Sequence, residues 1–182
     1  LEVVGKILDR IAELRTMAAD ITKNSADIEN YSKEFIELQS QINQVRQQKF
    51  NGISLFALNN MTASDFAPEG QLVKIGTGTF NYTDSSSAST SATYDKYAFH
   101  LKTAESGQDM DGHVSLNVIN LQFVVSLGSV SGLNLGGFSN AANTSSNSTT
   151  SPGTVALNGH NFIADITKVS IADLLLAIEK LA

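Results

Sequence analysis

The sequence predicts an α+β fold, in which an antiparallel heptad-type helical bundle of two N-terminal helices and one C-terminal helix carries an inserted β-rich outer domain. Three observations lead to this prediction. Apolar residues follow heptad spacing at both ends of the chain, strand patterns fill the middle, and two Ser/Thr-rich tracts separate those strands. We therefore expect a discontinuous helical core domain, 1–57 and 166–182, and a variable β-rich outer domain, 58–165, with Ser/Thr-rich loops.

The first two helices are predicted from apolar residues that recur at alternating intervals of three and four positions. Such spacing places an apolar seam along one side of each helix and lets helices pack at a shallow angle. The joint between them is short, which indicates antiparallel neighbours or one interrupted rod. Asn24 or Ser25 can cap the second helix, with Asp27 near its positive end. The seam consists of Val4, Ile7, Ile11, Leu14, Ala18, Ile21, Ile28, Tyr31, Phe35, Leu38, Ile42 and Val45.

The third helix is predicted at the far end of the chain, where the same spacing returns. Ser170, followed three residues later by Asp173, is typical of a capping box at a helix start, with Asp in place of Glu. So short a helix is marginal alone in water, so we expect it to pack against the first two. Its seam consists of Ile171, Leu174, Ile178 and Leu181.

The middle region carries strand patterns. In one of its segments, Tyr97, Phe99 and Leu101 alternate with other residues, which is typical of a strand with one buried face. The segments predicted as strands are 71–75, 97–101 and 113–118.

Turns and loops are predicted between these strands. Asp111-Gly112 and Asn158-Gly159 are dipeptides typical of β-hairpins. Thr83–Thr93 and Ser139–Ser151 hold almost no apolar residues, so we expect both to be exposed loops. The segment 117–130 fits the periodicity of a helix and that of a strand, and we favour the helix.

Composition excludes several function classes. The chain has no Cys, which removes disulfides and thiolate metal sites, and its net charge of −6 argues against binding to nucleic acid phosphates. No apolar run approaches the roughly 18–20 residues of a membrane span.

The sequence also carries no motif that supports catalysis, so we expect no enzyme, no cofactor and no metal site. The segment Asp109–His113 resembles a calcium loop superficially, but a hairpin turn is the simpler interpretation. Glu34 and Glu37 are at helical spacing on a solvated face, as surface charges are. The three histidines lack the short spacing of a metal site, and they are His100, His113 and His160.

Two motifs resemble bacterial flagellin. The segment "RIAELRTMAAD" (Arg10–Asp20) is similar to the family's R-x-R-E-L-x-x-x-A-x pattern on its first core helix. The segment "QKFNGISLF" (Gln48–Phe56) is similar to the Phe-Asn-Gly that ends the second helix in that family. In this motif we expect Phe50 to cover the end of the helical bundle. We expect Asn51-Gly52 to form the tight turn that leads into a hairpin. The end of the chain, 166–182, resembles the start of the family's C-terminal core helix.

The resemblance implies a structural subunit of the flagellar filament, secreted and located in the bacterial flagellum or at the cell surface. Its implied partners are other flagellin subunits, an export chaperone, the filament cap and the flagellin-sensing innate receptor. Helical periodicity is under way at Val4 and continues to Leu181. We therefore expect the chain to be a fragment without the terminal segments that drive polymerisation.

The resemblance also implies a receptor surface. By position in the motif it maps onto Arg10, Leu14 and, on the second helix, Glu34. The sequence departs from the family pattern at two places, since Ala12 stands where Arg is common and Arg15 where a small residue is common.

Two alternative functions remain open at the level of sequence. One is a flagellin-like surface protein that binds a polysaccharide, with Tyr82, Tyr94 and Tyr97 as an aromatic platform, assisted by Phe99 and His100. The same residues are more often found in ordinary core and hairpin packing. The other is a hook–filament junction protein, for which the same arrangement of core helices is expected.

Overall fold

The structure is a computed structural model, and it describes residues 1–50, 53–57, 72–83, 87–103, 112–127, 133–136, 154–157 and 160–181. Within these residues the protein combines helices with a four-stranded sheet and three two-stranded sheets, an α+β arrangement as the sequence predicts. The α-helices are α1 (Glu2–Ala18), α2 (Ser25–Arg46), α3 (Leu121–Val125) and α4 (Ile171–Leu181), and a 3-10 helix covers Ile166–Lys168.

Two of the predicted helix starts are capped by side chains. The Asn24 side chain accepts a hydrogen bond from the Asp27 N–H at 2.9 Å, and the Asp27 carboxylate accepts one from the Asn24 N–H at 3.3 Å. At α4 the Ser170 hydroxyl accepts from the Asp173 N–H at 3.1 Å. Each cap satisfies an amide that would otherwise lack a partner, and this fixes where the helix begins.

Helix α1 packs against both α2 and α4. The ion pair between Arg10 and Glu34 joins points almost equally far from the short α1–α2 connection, so these helices run antiparallel. At the other side, Gly5 lies near the end of α4. A Cβ at Gly5 would stand 3.1 Å from Leu181 Cδ2, and this tight approach brings the two helices together.

Burial along the helices follows most of the apolar seam. Two seam positions are exposed, and they correct the prediction. Ile21 is 99% exposed because α1 ends at Ala18 and leaves it in the connection. Ile171 is 38% exposed because α4 is covered by both α1 and α3, which centres its buried stripe on Leu174 and Ala177. The buried seam residues are Val4, Ile7, Ile11, Leu14, Ala18, Phe35, Leu38, Ile42, Val45 and Leu174. The half-buried ones are Ile28, Tyr31, Ile178 and Leu181.

The main sheet has the strand order β3-β6-β5-β4, in which β3 and β6 are parallel and the other pairs are antiparallel. The pairs β1–β2, β7–β8 and β9–β10 form separate two-stranded antiparallel sheets. The strands are β1 (Lys49–Phe50), β2 (Ile53–Ser54), β3 (Phe56–Ala57), β4 (Leu72–Thr83), β5 (Ser89–Lys102), β6 (His113–Asn120), β7 (Ser126–Leu127), β8 (Leu133–Asn134), β9 (Thr154–Leu157) and β10 (His160–Ile163).

The described residues of the Ser/Thr-rich tract Thr83–Thr93 are largely strand, which corrects the prediction of a loop, although most of them are exposed as expected. Strand β4 extends to Thr83 and pairs there with Ser89, the first residue of β5. Thr suits a pleated strand because of its branched Cβ, and Ala92 supplies an inward contact at 2% exposure. The second tract, Ser139–Ser151, lies outside the described residues.

The structure describes the two predicted hairpin turns, Asp111-Gly112 and Asn158-Gly159, only in part. Lys102 pairs with His113, so β5 and β6 are joined by more than the two residues of a tight hairpin. Asp111 lies outside the described residues. Gly112 lies at the base of the β5–β6 connection with φ +119°, where its carbonyl accepts from the Thr103 N–H. Asn158-Gly159 lies outside the described residues, although Leu157 and His160 on either side pair as a hairpin requires.

The ambiguous segment 117–130 divides between the two interpretations. Residues up to Asn120 belong to β6, and only Leu121–Val125 form a helix, followed by a short strand. The Asn120 side chain accepts a hydrogen bond from the Phe123 N–H at 3.1 Å and so starts α3. All five residues of α3 are buried, because it lies between the sheet and α4.

One hydrophobic cluster joins the helices to the sheet. It contains residues of α1, α2 and α4 together with Phe56, Ala92 and the residues of α3. The cluster crosses both boundaries of the predicted division into 1–57 with 166–182 and 58–165. That division remains a prediction.

Polar side chains of α1 and α2 hydrogen-bond to backbone groups of other segments. Gln39 is fully buried, and its amide donates to the Ile163 carbonyl at 2.8 Å and accepts from the Ile163 N–H at 3.1 Å. Asn43 donates to the Gly136 carbonyl, and Arg15 of α1 donates to the Val169 carbonyl. These bonds satisfy backbone groups that strand pairing leaves open.

Candidate functional site

Of the residues that the flagellin resemblance implies for a receptor surface, only some are exposed. Arg10 makes a two-pronged contact with Glu34, from Nε at 2.7 Å and from Nη2 at 3.2 Å, and a third bond to Glu13 at 2.9 Å. These hydrogen bonds, first to Glu34 and then to Glu13, raise the pKa of the Arg10 guanidinium. The three side chains are exposed and form one cluster of alternating charge across α1 and α2.

Leu14 does not belong to this surface. It is fully buried in the core between the helices, so a partner that binds Arg10 and Glu34 does not reach its side chain. The heptad spacing that makes Leu14 a seam residue already places it on the inner side of α1. The structure thus separates the three implied residues into two exposed charges and one core residue.

A groove between α1 and α4, which we call the α1–α4 groove, lies beside this charged cluster. Its volume is about 690 Å³, and it is open to solvent along its length. Leu175 is 56% exposed and Ile171 is 38% exposed at its floor. The lining residues include Arg10, Ala12, Glu13, Met17, Ile171 and Leu175. The groove therefore offers an apolar floor with a charged rim, which is how protein interfaces are commonly built.

Sequence analysis missed Leu175, although a signal for it exists. In the run "LLL" at 174–176, Leu174 is on the buried stripe of α4, and the next position lies about 100° around the helix. An apolar residue off the seam of an amphipathic helix is either covered by another element or exposed. Leu175 is exposed.

The three tyrosines of the predicted ligand platform do not lie on one surface. Tyr94 and Tyr97 are separated by three positions on β5 and therefore point to opposite faces of the sheet. Tyr94 stacks on Phe123 with ring centroids 3.9 Å apart, and Phe80 links this pair to Tyr82. Tyr97 is 3% exposed and packs with Ala57 in a separate small cluster. The prediction of a single aromatic platform is wrong.

Of the Phe50-Asn51-Gly52 motif, the structure describes only the backbone of Phe50. Phe50 pairs with Ile53 across the hairpin of β1 and β2, as a turn between the two strands requires. Asn51 and Gly52 lie outside the described residues, and so does the side chain of Phe50.

Comparisons with protein-family models, with curated proteins and with solved structures find no match to this chain. In the part of the chain that the structure describes, no helix is long and apolar enough to cross a membrane. No group of three or more His, Asp and Glu side chains gathers in a way that fits a metal ion within that same part.

Proposed function

We propose that the chain is part of the structural subunit of a bacterial flagellar filament. In this proposal α1, α2 and α4 form the inner heptad-type bundle, and the strands inserted between them form the outer domain. Two kinds of support combine. The motifs at Arg10–Asp20 and Gln48–Phe56 resemble the family, and helices near both ends of the chain meet in space around α1.

The observation that carries the proposal is the α1–α4 groove. A subunit of a filament needs complementary surfaces on successive copies, and contacts that do not close on themselves produce a helical array. Leu175 and Ile171 place aliphatic surface in an open groove, where it gains nothing for the isolated chain. A neighbouring copy is the occupant that this function supplies, with the charged rim around Arg10 fixing its register.

Thiol protection tests this assignment, because the chain has no Cys and a single one can be introduced cleanly. Leu175→Cys places a thiol in the groove, and Glu29→Cys places a matched thiol on the exposed side of α2. Both variants are prepared in the complete product of the gene that encodes this chain. Alkylation is then compared before and after assembly is induced.

We expect the thiol at position 175 to become at least tenfold slower to alkylate on assembly, while the thiol at position 29 changes less. Equal reactivity at position 175 in the monomer and in the assembled form would remove the groove from the subunit interface. Failure of both variants to assemble, with assembly of the parent chain, would place both positions in contacts between subunits.

A further inference from the structure

A second cavity lies on the opposite side of α4 from the groove, between the end of that helix and the main sheet. Its volume is about 400 Å³, within the range of pockets that bind small molecules. The apolar part of its wall comes from Phe123 and Ile119, and the polar part from side chains of β5 and from Lys180. All of these residues belong to the described part of the chain.

Lys180 is a cation without a counter-ion in this cavity. Its Nζ donates to the Ser126 carbonyl at 2.5 Å and to the Ser126 hydroxyl at 2.8 Å, and it lies 5.2 Å from the centroid of the Phe123 ring. No carboxylate among the described residues lies within 4.0 Å of this nitrogen. An ammonium has three N–H donors, so one remains for a further acceptor.

The acidic group of the cavity does not balance this charge. Asp95 is 9% exposed, and its carboxylate lies 2.6 Å from Lys74 Nζ and accepts from the Tyr97 hydroxyl at 3.4 Å. Lys74 thus neutralises Asp95 at the far side of the cavity, and Lys96 adds a further positive charge to the lining. The excess charge of the cavity is positive, in a chain whose net charge is −6.

We propose that this cavity binds a small organic anion, whose carboxylate accepts a hydrogen bond from Lys180 and whose apolar part lies against Phe123 and Ile119. The Ser126 oxygens and the Phe123 ring hold the ammonium in place before the ligand arrives, so little rotamer freedom of Lys180 is lost on binding. The ammonium of Lys180 requires an anionic group in the ligand, and the apolar wall requires a hydrocarbon part. A bare inorganic anion would leave the apolar wall without a partner.

The affinity of this site for an anion should depend on pH in a characteristic way. Burial lowers the pKa of Lys180 to about 8 from its ordinary value of 10.5, and Asp173 opposes that shift. An anion binds only the protonated amine, so the affinity should be level below pH 8 and fall by about tenfold per pH unit above it. The charged and titratable groups around the amine are Tyr94, Asp95, Lys96 and Tyr97 on β5, Lys74 on β4 and Asp173 on α4.

The test is an NMR titration of the chain with benzoate, acetate and inorganic phosphate in turn, followed through the amides of Asn120 and Phe123. Lys180→Met keeps the length of the side chain and removes the charge. Lys6→Met is the matched control on the exposed side of α1. Asn117→Trp fills the cavity from β6 and leaves Lys180 intact.

We expect benzoate to bind more tightly than acetate, and acetate more tightly than phosphate. Lys180→Met should weaken benzoate binding at least tenfold and abolish its pH dependence, and Lys6→Met should leave both unchanged. If Lys180→Met does not fold, Asn117→Trp decides, because it should also lose binding. The proposal fails if benzoate does not shift these amides, if Lys180→Met or Asn117→Trp binds it as wild type does, or if phosphate binds as tightly as benzoate.

Discussion

Helix α2 and strand β5 are the longest elements of the helical part and of the main sheet, and they are held by different contacts. Helix α2 buries Phe35, Leu38 and Ile42 against its neighbours and uses buried amides to hold backbone groups of another segment. Strand β5 lies between β4 and β6 and is held by a backbone ladder on both edges. Its side chains add aromatic contacts, of which the stack of Tyr94 on Phe123 is the closest.

These contacts determine how each region tolerates change in sequence. A hydrogen bond from Gln39 to the backbone of Ile163 depends on the residue at position 39 and is indifferent to the side chain at position 163. The side chains of the incoming segment contribute in another way, because Phe162, Ile163 and Ile166 are buried. The sheet instead requires matching side chains at neighbouring positions, because its faces are covered by pairs across strands.

The largest expected effect comes from charging the helical seam. Ile11→Asp puts a carboxylate into a fully buried position, at a cost of several kcal/mol, so we expect the helical part to unfold. Leu38→Asp should act in the same way from α2. Ile21→Asp is the matched control, since Ile21 continues the same spacing but is 99% exposed. Circular dichroism during thermal unfolding measures all three. A melting curve for Ile11→Asp that matches the control would contradict the burial of the seam.

The next effect probes the sheet. Phe123→Ala removes the ring on which Tyr94 stacks and leaves a cavity, which typically costs about 3–5 kcal/mol. Leu116→Ala is the control, because Leu116 is half exposed on β6. Urea unfolding followed by tyrosine fluorescence reports both. Should the two variants lose equal stability, the aromatic cluster would not be the main support of the sheet.

Removing the buried amide of Gln39 on α2 should cost less stability than either of these changes. Gln39→Leu leaves the N–H and the carbonyl of Ile163 buried without partners, at a cost of about 2–4 kcal/mol. Gln41→Leu changes an exposed amide on the same helix and should change little. Hydrogen exchange of the Ile163 amide should accelerate in Gln39→Leu and not in Gln41→Leu. Unchanged exchange in both would mean that Gln39 does not hold the returning segment.

The smallest effect concerns pH and involves both regions, since Lys180 on α4 faces the sheet. Its pKa in the folded chain, about 8, is below the ordinary value, so the unfolded chain binds the extra proton between pH 8 and pH 10.5. The free energy of unfolding of wild type should therefore rise over this interval, by on the order of 2–3 kcal/mol. Lys180→Met should lack this rise and be more stable than wild type at pH 7. Parallel pH profiles of the two proteins would show that Lys180 is not desolvated.

The sequence anticipates the helical part better than the sheet, for a physical reason. Heptad spacing is a local pattern, and Ile7, Ile11 and Leu14 are buried where it places them. The exposure of Ile171 depends on how α3 covers α4, which is a contact between distant segments that no local pattern encodes.

Strand pairing has the same dependence on distant contacts. Thr83 is in a strand because Ser89 pairs with it, although the tract around both has the composition of a loop. The candidate sites were harder still to anticipate. The resemblance to flagellin implies Arg10 and Glu34, whereas Leu175 and Lys180 have roles only in relation to neighbours that are far away in the sequence.

Filament formation is the property that a flagellar subunit must have. Electron microscopy is carried out on the complete product of the gene that encodes this chain, under conditions that favour polymerisation. A flagellar filament subunit should produce long filaments of uniform diameter, and Leu175→Asp should shorten or abolish them while the monomer remains folded. A protein that stays monomeric under all such conditions would contradict the proposed function. Filaments of wild-type length from Leu175→Asp would contradict the role of the α1–α4 groove.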